Sequence, residues 1–197
     1  MTFASRIGGW LFRQRTWLPL PLVAALLLIP PESDAPGALL WIAGALVVAI
    51  GEGIRLWAVH HIGAISRTRS DRLGPLILSG PFALIRNPLY VGNILLWAGF
   101  AISARLVWLA PVVIVLLALE YHAIVRWEEG LLADRIGEPY EQYVARVPRW
   151  LPSLSRPSLW ATAVTGMFSW RETLFSERGT LIAIGAGFLL LWLKARF

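Results

Sequence analysis

The sequence predicts an all-α membrane protein, a polytopic bundle of four to five transmembrane helices, from three features. Of its 197 residues, 57% are hydrophobic and 15% are charged, whereas soluble domains carry roughly 25% charged residues. The apolar residues are gathered into long blocks, as membrane spans require. Several of the eleven tryptophans flank these blocks, where membrane proteins carry an aromatic belt: Trp17, Trp41, Trp57, Trp127 and Trp192.

The apolar blocks predict how this single integral membrane domain is organised. Residues 17–61 hold the first two spans, separated by the acidic turn PESDAP. Residues 89–125 hold two blocks near the lower limit of roughly 17 residues for crossing a bilayer. Only Arg105 separates them, which predicts a tight helical hairpin. The last block, 180–193, either crosses the membrane or lies at its interface, so residues 157–197 are predicted to form interfacial or membrane helices.

The arginines predict the orientation of the bundle. The net charge of +6 comes from seventeen arginines and one lysine, a bias that suggests a GC-rich bacterial genome and hence a bacterial inner membrane. Cytoplasmic loops carry an excess of basic residues, so the N-terminus, the loop 62–88 and the segment 126–156 are predicted to be cytoplasmic. Their arginines are Arg6, Arg13 and Arg15, then Arg67, Arg69, Arg72 and Arg86, then Arg126, Arg135, Arg146, Arg149 and Arg156.

Several kinds of site are excluded by the residues present. There are no cysteines, which excludes disulfides, thiolate metal sites and cysteine nucleophiles. The histidines are His60, His61 and His122, too few for a histidine-rich centre, and no metal site is predicted. The arginines are dispersed between apolar blocks, so no nucleic-acid partner is expected. The glycine pairs in GEG (51–53) and GAG (185–187) lie in apolar helical runs and follow no strand, so neither is a phosphate loop.

Four ionisable residues within or near the spans are candidate catalytic groups. Glu52 and Arg55 lie one helical turn apart inside the second span. Ionisable groups in a span are costly and often functional, but the two can also neutralise each other as a buried structural pair, or extend to the interface. Glu120 and His122, near the end of the fourth block, likewise allow functional and structural interpretations.

The stretch LIRNPLYVGN (84–93) places polar residues at the start of an apolar block. Pro88 begins a helix and disfavours helical backbone at the preceding Asn87. Arg86 and Asn87 are therefore predicted to lie on non-helical backbone, beside the positive end of the helix. The hairpin that follows should bring this stretch to the same cytoplasmic face as 126–152, about forty residues later.

The second stretch, RWEEGLLADRIGEPYEQYVARVPRWLP (126–152), is the richest in charged and aromatic residues. Glu128 and Glu129 point about 100° apart on a helix, so only one faces the bundle easily. Two interpretations are open for these acids. They bind a ligand at the membrane mouth, or they pair with nearby arginines on a solvated amphipathic helix.

Together, GPFALIRNPLYVGN (80–93) and EEGLLADRIGEPYEQYVARVPRWLP (128–152) resemble the isoprenylcysteine carboxyl methyltransferase and phospholipid methyltransferase superfamily. The resemblance spans roughly residues 74–152. It implies a helical membrane enzyme that uses S-adenosylmethionine to methylate a lipidic substrate, with a cofactor pocket at the cytoplasmic face and no Rossmann fold. Asn87 stands where better-known members have histidine, and an amide cannot act as a proton acceptor. The implied cofactor-binding residues are Arg86, Asn87, Pro88, Tyr90, Glu128, Glu129, Tyr140, Tyr143, Arg146 and Arg149.

Two acceptor classes are open for a methyltransferase of this kind. O-methylation of an isoprenoid-type carboxylate needs no base and is favoured over N-methylation. N-methylation of a phospholipid or another lipid amine needs a proton acceptor, for which Glu52, Glu120 and His122 are candidates. The alternative from another class is a non-catalytic membrane protein that keeps the fold and binds a lipid or a partner. No oligomeric state is predicted.

Overall fold

The computed structural model describes residues 3–31, 37–63, 76–152 and 168–196. Within these ranges the chain forms helices and no strand, which confirms the predicted all-α bundle. The helices are α1 (Phe3–Gln14), α2 (Leu20–Leu28), α3 (Gly37–Ile62), a 3₁₀ helix (Gly80–Ala83), α4 (Pro88–Ser103), α5 (Leu109–Ile136), α6 (Glu138–Arg146) and α7 (Trp170–Lys194). Most of PESDAP and four of the predicted cytoplasmic arginines, Arg67, Arg69, Arg72 and Arg156, lie outside the described residues.

Three of the described helices, α3, α5 and α7, are long and apolar enough to cross a membrane. Helix α4 is apolar but has 16 residues, about 24 Å at 1.5 Å per residue, which is less than the roughly 30 Å hydrocarbon core. The first predicted span, 17–30, contains only the nine residues of α2. That block is therefore not a single helix of spanning length, because Trp17 to Pro19 precede the helix in a turn.

Helix α7 begins ten residues before the apolar block 180–193. The Oγ of Ser169 accepts a hydrogen bond from the Glu172 backbone N–H, and the Glu172 side chain accepts one from the Ser169 N–H at 2.8 Å. This capping box starts a helix of 25 residues. The final block therefore belongs to a helix of spanning length, and the polar residues before it are part of the same helix.

Helix α5 runs without a break through the boundary expected near residue 126. It continues to Ile136 and ends at Gly137, whose φ of 69° is in the left-handed region that glycine adopts without strain. The predicted hairpin of α4 and α5 is present, with Arg105 at the turn in a left-handed conformation (φ 62°). Glu128 and Glu129 therefore extend from the membrane helix itself.

Glycines bring α3 and α4 into close contact. A Cβ on Gly51 would lie 2.8 Å from the carbonyl oxygen of Gly92, and a Cβ on Gly99 would lie 2.7 Å from that of Gly44. Small residues at such positions let membrane helices approach closely. The glycine at position 51 of GEG is thus a packing residue, and it holds the polar side chains that follow it in α3 against α4.

Replacing Gly44 by valine is expected to destabilise the bundle, because overpacking a helix contact costs about 1–3 kcal/mol. Gly53→Val is the matched control, since it makes the same change in the same helix at a position with nothing within 4 Å of the new Cβ. Thermal unfolding in detergent should show a lower midpoint for Gly44→Val alone. Equal midpoints for the two variants would contradict the close α3–α4 contact.

Candidate functional site

A cavity of about 950 Å³ lies within the helix bundle, near the upper end of the range for small-molecule sites. Its wall is polar around the start of α4. The wall is apolar two to three helical turns further along α4, and also along the second half of α7. The polar part includes Arg15, Arg86, Asn87, Tyr90, Glu128, Glu129, Tyr140 and Tyr143. The apolar part includes Val23, Leu26, Leu27, Leu96, Phe100, Ala183, Gly187, Leu190 and Leu191.

The segment before α4 is tied to the end of the second motif. Pro88 begins α4 as predicted, and Asn87 is non-helical, with φ −128° and ψ 53°. The Asn87 side-chain amide donates to the Arg149 carbonyl at 3.2 Å, and the Arg86 backbone N–H donates to the Pro148 carbonyl at 2.9 Å. These two hydrogen bonds join the two motifs directly, between residues 62 positions apart in the sequence.

The carboxylate of Glu129 holds two arginines. Arg149 donates to both of its oxygens, from Nε at 3.0 Å and from Nη2 at 2.6 Å. Arg86 Nη1 lies 2.9 Å from Glu129 Oε1, and the side chains of both residues are mostly buried. The hydrogen bond to Glu129 raises the pKa of Arg149. Arg149 is not part of the cavity wall in the described chain, so it acts on the site through Glu129 and through its backbone carbonyl.

Tyr90 and Glu128 meet across the hairpin, 38 residues apart. The Tyr90 hydroxyl lies 3.1 Å from each oxygen of the Glu128 carboxylate, and the Tyr90 ring stacks on Tyr121 with centroids 4.6 Å apart. A hydroxyl donates one hydrogen, whereas an ionised carboxylate can accept about four. Glu128 therefore has the capacity to accept hydrogen bonds from a ligand in the cavity.

Helix α6 places Tyr140 and Tyr143 against the polar end of the cavity. The Tyr143 hydroxyl donates to the Phe82 carbonyl at 2.8 Å, which joins α6 to the 3₁₀ helix. Burial raises the pKa of Tyr140 to about 12, with the charge of Glu129 adding to the effect. Tyr140 is therefore a neutral hydrogen-bond donor at physiological pH. Arg146, at the end of α6, is exposed and is not part of the described cavity wall.

Of the four candidate catalytic residues, Arg55 is the one that lines the cavity in the described part of the chain. Glu52 lies beside it, with Oε2 3.4 Å from Arg55 Nε. Glu120 is partly buried and His122 is exposed on α5, and neither contributes to the cavity wall. Their positions give no support to a role as proton acceptor.

Sequence reasoning missed the partners of Arg55. Its Nη1 donates to Asn93 Oδ1 at 2.5 Å, and its Nη2 donates to Glu177 Oε2 at 2.7 Å and to Thr180 Oγ1 at 3.2 Å. These four residues, called the inner polar cluster below, all line the cavity. Glu177 is 122 residues from Arg55, so no local pattern pairs them. The available signal was the SWRE capping box, which predicts that α7 begins before Glu177.

Comparison with known proteins places the chain among membrane methyltransferases. Residues 39–138, half of the chain, match the family model described as phospholipid methyltransferase. The nickel-cobalt-cadmium resistance protein NccN of Alcaligenes xylosoxydans xylosoxydans is 29% identical over 159 residues, which cover 77% of this chain and 70% of that protein. The cobalt-zinc-cadmium resistance protein CzcN of Cupriavidus metallidurans is 32% identical over 117 residues, 59% of this chain and 51% of that protein. No solved structure matches the chain.

The family match covers both sides of the polar end of the cavity. It includes Tyr90 and Glu128, which contact each other, and it ends before α7. The described residues contain no group of three or more His, Asp or Glu side chains that could hold a metal ion. By the match over residues 39–138, this chain is an integral membrane protein that belongs to the phospholipid methyltransferase family, whose members methylate membrane lipids with S-adenosylmethionine.

Proposed function

We propose that this chain binds S-adenosylmethionine at the polar end of the cavity and transfers its methyl group to a lipid whose chain lies in the apolar end. The observation that carries the proposal is a single cavity with both kinds of wall. A polar cofactor and an apolar acceptor that arrive from different phases can meet in such a space.

The side chains at the polar end suit a zwitterionic cofactor. The Glu128 carboxylate can accept hydrogen bonds from an ammonium group or from ribose hydroxyls. Arg86, held by Glu129 at 2.9 Å, presents a guanidinium that matches a carboxylate. Tyr140 contributes a neutral hydroxyl. These residues bind and orient, and none of them is required to form a covalent bond.

The cofactor supplies a methyl group on a positively charged sulfur. As the lone pair of the acceptor atom bonds to the methyl carbon, the carbon–sulfur bond breaks and its electrons stay on sulfur as a neutral thioether. The chain contributes alignment of the two reactants and exclusion of water. A carboxylate acceptor releases no proton. An amine acceptor loses one, which a base must accept.

The proposed setting is a bacterial inner membrane with the polar end of the cavity facing the cytoplasm, where S-adenosylmethionine is made. The basic residues Arg15, Arg86 and Arg149 gather at this end, as expected for a cytoplasmic face. The two relatives are named for resistance to metals. Modification of a membrane lipid under metal stress is therefore a proposed physiological context for this chain.

Calorimetric titration of the detergent-purified protein with S-adenosylhomocysteine tests the proposal. We expect saturable binding at one site. The lipids that the protein labels from methyl-tritiated S-adenosylmethionine then identify the acceptor class, since a methyl ester is base-labile and a methylamine is not. Protein that unfolds cooperatively on heating but binds no S-adenosylhomocysteine would overturn the proposal and favour the non-catalytic alternative.

A further inference from the structure

We propose that α7, which lies outside the family-matching residues 39–138, determines which lipid the site accepts. Glu177 and Thr180 position Arg55 at the polar head of the acceptor, and Gly187 keeps open the space that its chain occupies. This inference rests on the proposed function, because it assigns the acceptor half of the same cavity.

The inner polar cluster begins one helical turn deeper than the proposed cofactor end. Asn93 follows Tyr90 by three residues on α4, and Tyr90 bonds to Glu128 at the polar end. Tyr121 connects the two regions, because its ring stacks on Tyr90 and its hydroxyl forms a hydrogen bond with Asn93. A group held by the inner polar cluster would therefore lie between the cofactor and the apolar wall, where the methyl group must be received.

Arg55 is held at this position mainly from α7. A guanidinium inside a helix bundle is costly unless it is paired, and the side chain of Glu177 is only 1% exposed. The three hydrogen bonds from Arg55 to Asn93, Glu177 and Thr180 use three of its five N–H donors. A fourth, Nε–H, lies beside the Glu52 carboxylate at 3.4 Å, which leaves the second hydrogen of Nη1 for an anionic oxygen of the acceptor.

The apolar end of the cavity depends on a small residue of α7. Gly187 lines the cavity, and a Cβ there would lie 2.9 Å from the ring of Phe100. Thr180 and Ala183 share this face of α7, since they precede Gly187 by seven and four residues. Gly185 belongs to a different face, with nothing within 4 Å of an added Cβ, and is not part of the cavity wall. The two glycines therefore form a matched pair for substitution.

Gly187→Leu and Gly185→Leu test the chain-binding half of the inference. Each variant is incubated with a total membrane lipid extract and methyl-labelled S-adenosylmethionine, and mass spectrometry gives the chain lengths of the labelled lipids. We expect Gly187→Leu to shift labelling to shorter chains and to reduce labelling of the longest by about tenfold, as loss of one to two methylene subsites implies. Gly185→Leu should match the wild type. An unchanged chain profile for Gly187→Leu would overturn the inference.

Glu177→Gln and Thr180→Val test the head-group half. We expect the Kd for S-adenosylhomocysteine to stay at the wild-type value while KM for the labelled lipid rises about tenfold, the effect of disturbing one charge-assisted hydrogen bond. A parallel loss of S-adenosylhomocysteine binding would assign Glu177 to the cofactor end and overturn the inference. If Glu177→Gln does not fold, Thr180→Val tests the head-group half of the inference, because this variant keeps the ion pair between Glu177 and Arg55.

The same measurements separate the two proposals. Wild-type protein that binds no S-adenosylhomocysteine, or that binds it and labels no lipid, overturns the proposed function itself. Wild-type protein that binds S-adenosylhomocysteine and labels lipid, with acceptor kinetics that neither Thr180→Val nor Gly187→Leu alters, overturns only the role of α7.

Discussion

Replacing Glu129 by glutamine is expected to lower the affinity for S-adenosylhomocysteine at least about a hundredfold and to lower the unfolding midpoint. One carboxylate holds both Arg86 and Arg149, at distances of 2.6–3.0 Å. Removal of one partner from a buried ion pair costs about 3–5 kcal/mol, because the remaining charge is left uncompensated, and each 1.4 kcal/mol is a factor of ten. In the variant, two guanidinium groups lie close together without the negative charge that neutralises their repulsion.

Calorimetry with S-adenosylhomocysteine and thermal unfolding in the same detergent measure the two effects. Glu138→Gln is the matched control, because it removes the same charge from an exposed position on the neighbouring helix α6. Combining Glu129→Gln with Arg149→Met should cost less than the sum of the single changes, as expected for residues in direct contact. Wild-type affinity in Glu129→Gln would show that this carboxylate does not organise the pocket.

The parts of the fold that sequence reasoning predicted are those set by local chemistry. Pro88 ends the non-helical segment before α4, and Arg105 occupies the hairpin turn. Each depends on residues within a few positions of it. The meeting of Tyr90 and Glu128 was also predictable, because a hairpin of known helix lengths returns the chain to its starting face.

The parts of the fold that sequence reasoning missed are of two kinds. Some depend on packing between distant segments, and others are helices whose first residues are polar, so that hydropathy does not identify their start. Hydropathy identifies apolar residues but not the chain path, so the block 17–30 suggested a span where a turn precedes the short helix α2. For α7, hydropathy began the helix at the apolar block and overlooked the capping box at Ser169. The contact of Glu177 with Arg55 forms only when α7 packs beside α3, and the sequence carries no local signal for that arrangement.

The glycines of α3 and α4 also show that a sequence pattern can identify a packing face without identifying its partner. Gly44 and Gly51 are seven residues apart on α3, and Gly92 and Gly99 are seven residues apart on α4. A repeat of seven marks one face of a helix, but it does not identify the partner helix. In the structure the two faces meet, and this contact sets the depth at which the inner polar cluster lies relative to the start of α4.

Tyr90→Phe is expected to weaken S-adenosylhomocysteine binding about tenfold, and Tyr90→Ala to weaken it further. Phenylalanine keeps the ring that stacks on Tyr121 at 4.6 Å but removes the hydroxyl that lies 3.1 Å from both oxygens of Glu128. A lost hydrogen bond to a charged group costs about 1.5–3 kcal/mol. Alanine also removes the aromatic pair, which adds about 0.5–1.5 kcal/mol beyond the buried area.

The graded series distinguishes orientation of Glu128 from simple packing. If the hydroxyl orients the carboxylate toward the cofactor, Tyr90→Phe and Glu128→Gln should each reduce affinity, and the double variant should lose little more than either alone. If Tyr90 only fills space beside Tyr121, Tyr90→Phe should bind as the wild type does and only Tyr90→Ala should fail. Calorimetry on these four variants and the wild type decides between the two roles. Additive losses of affinity in the double variant would show that Tyr90 and Glu128 act independently in the pocket.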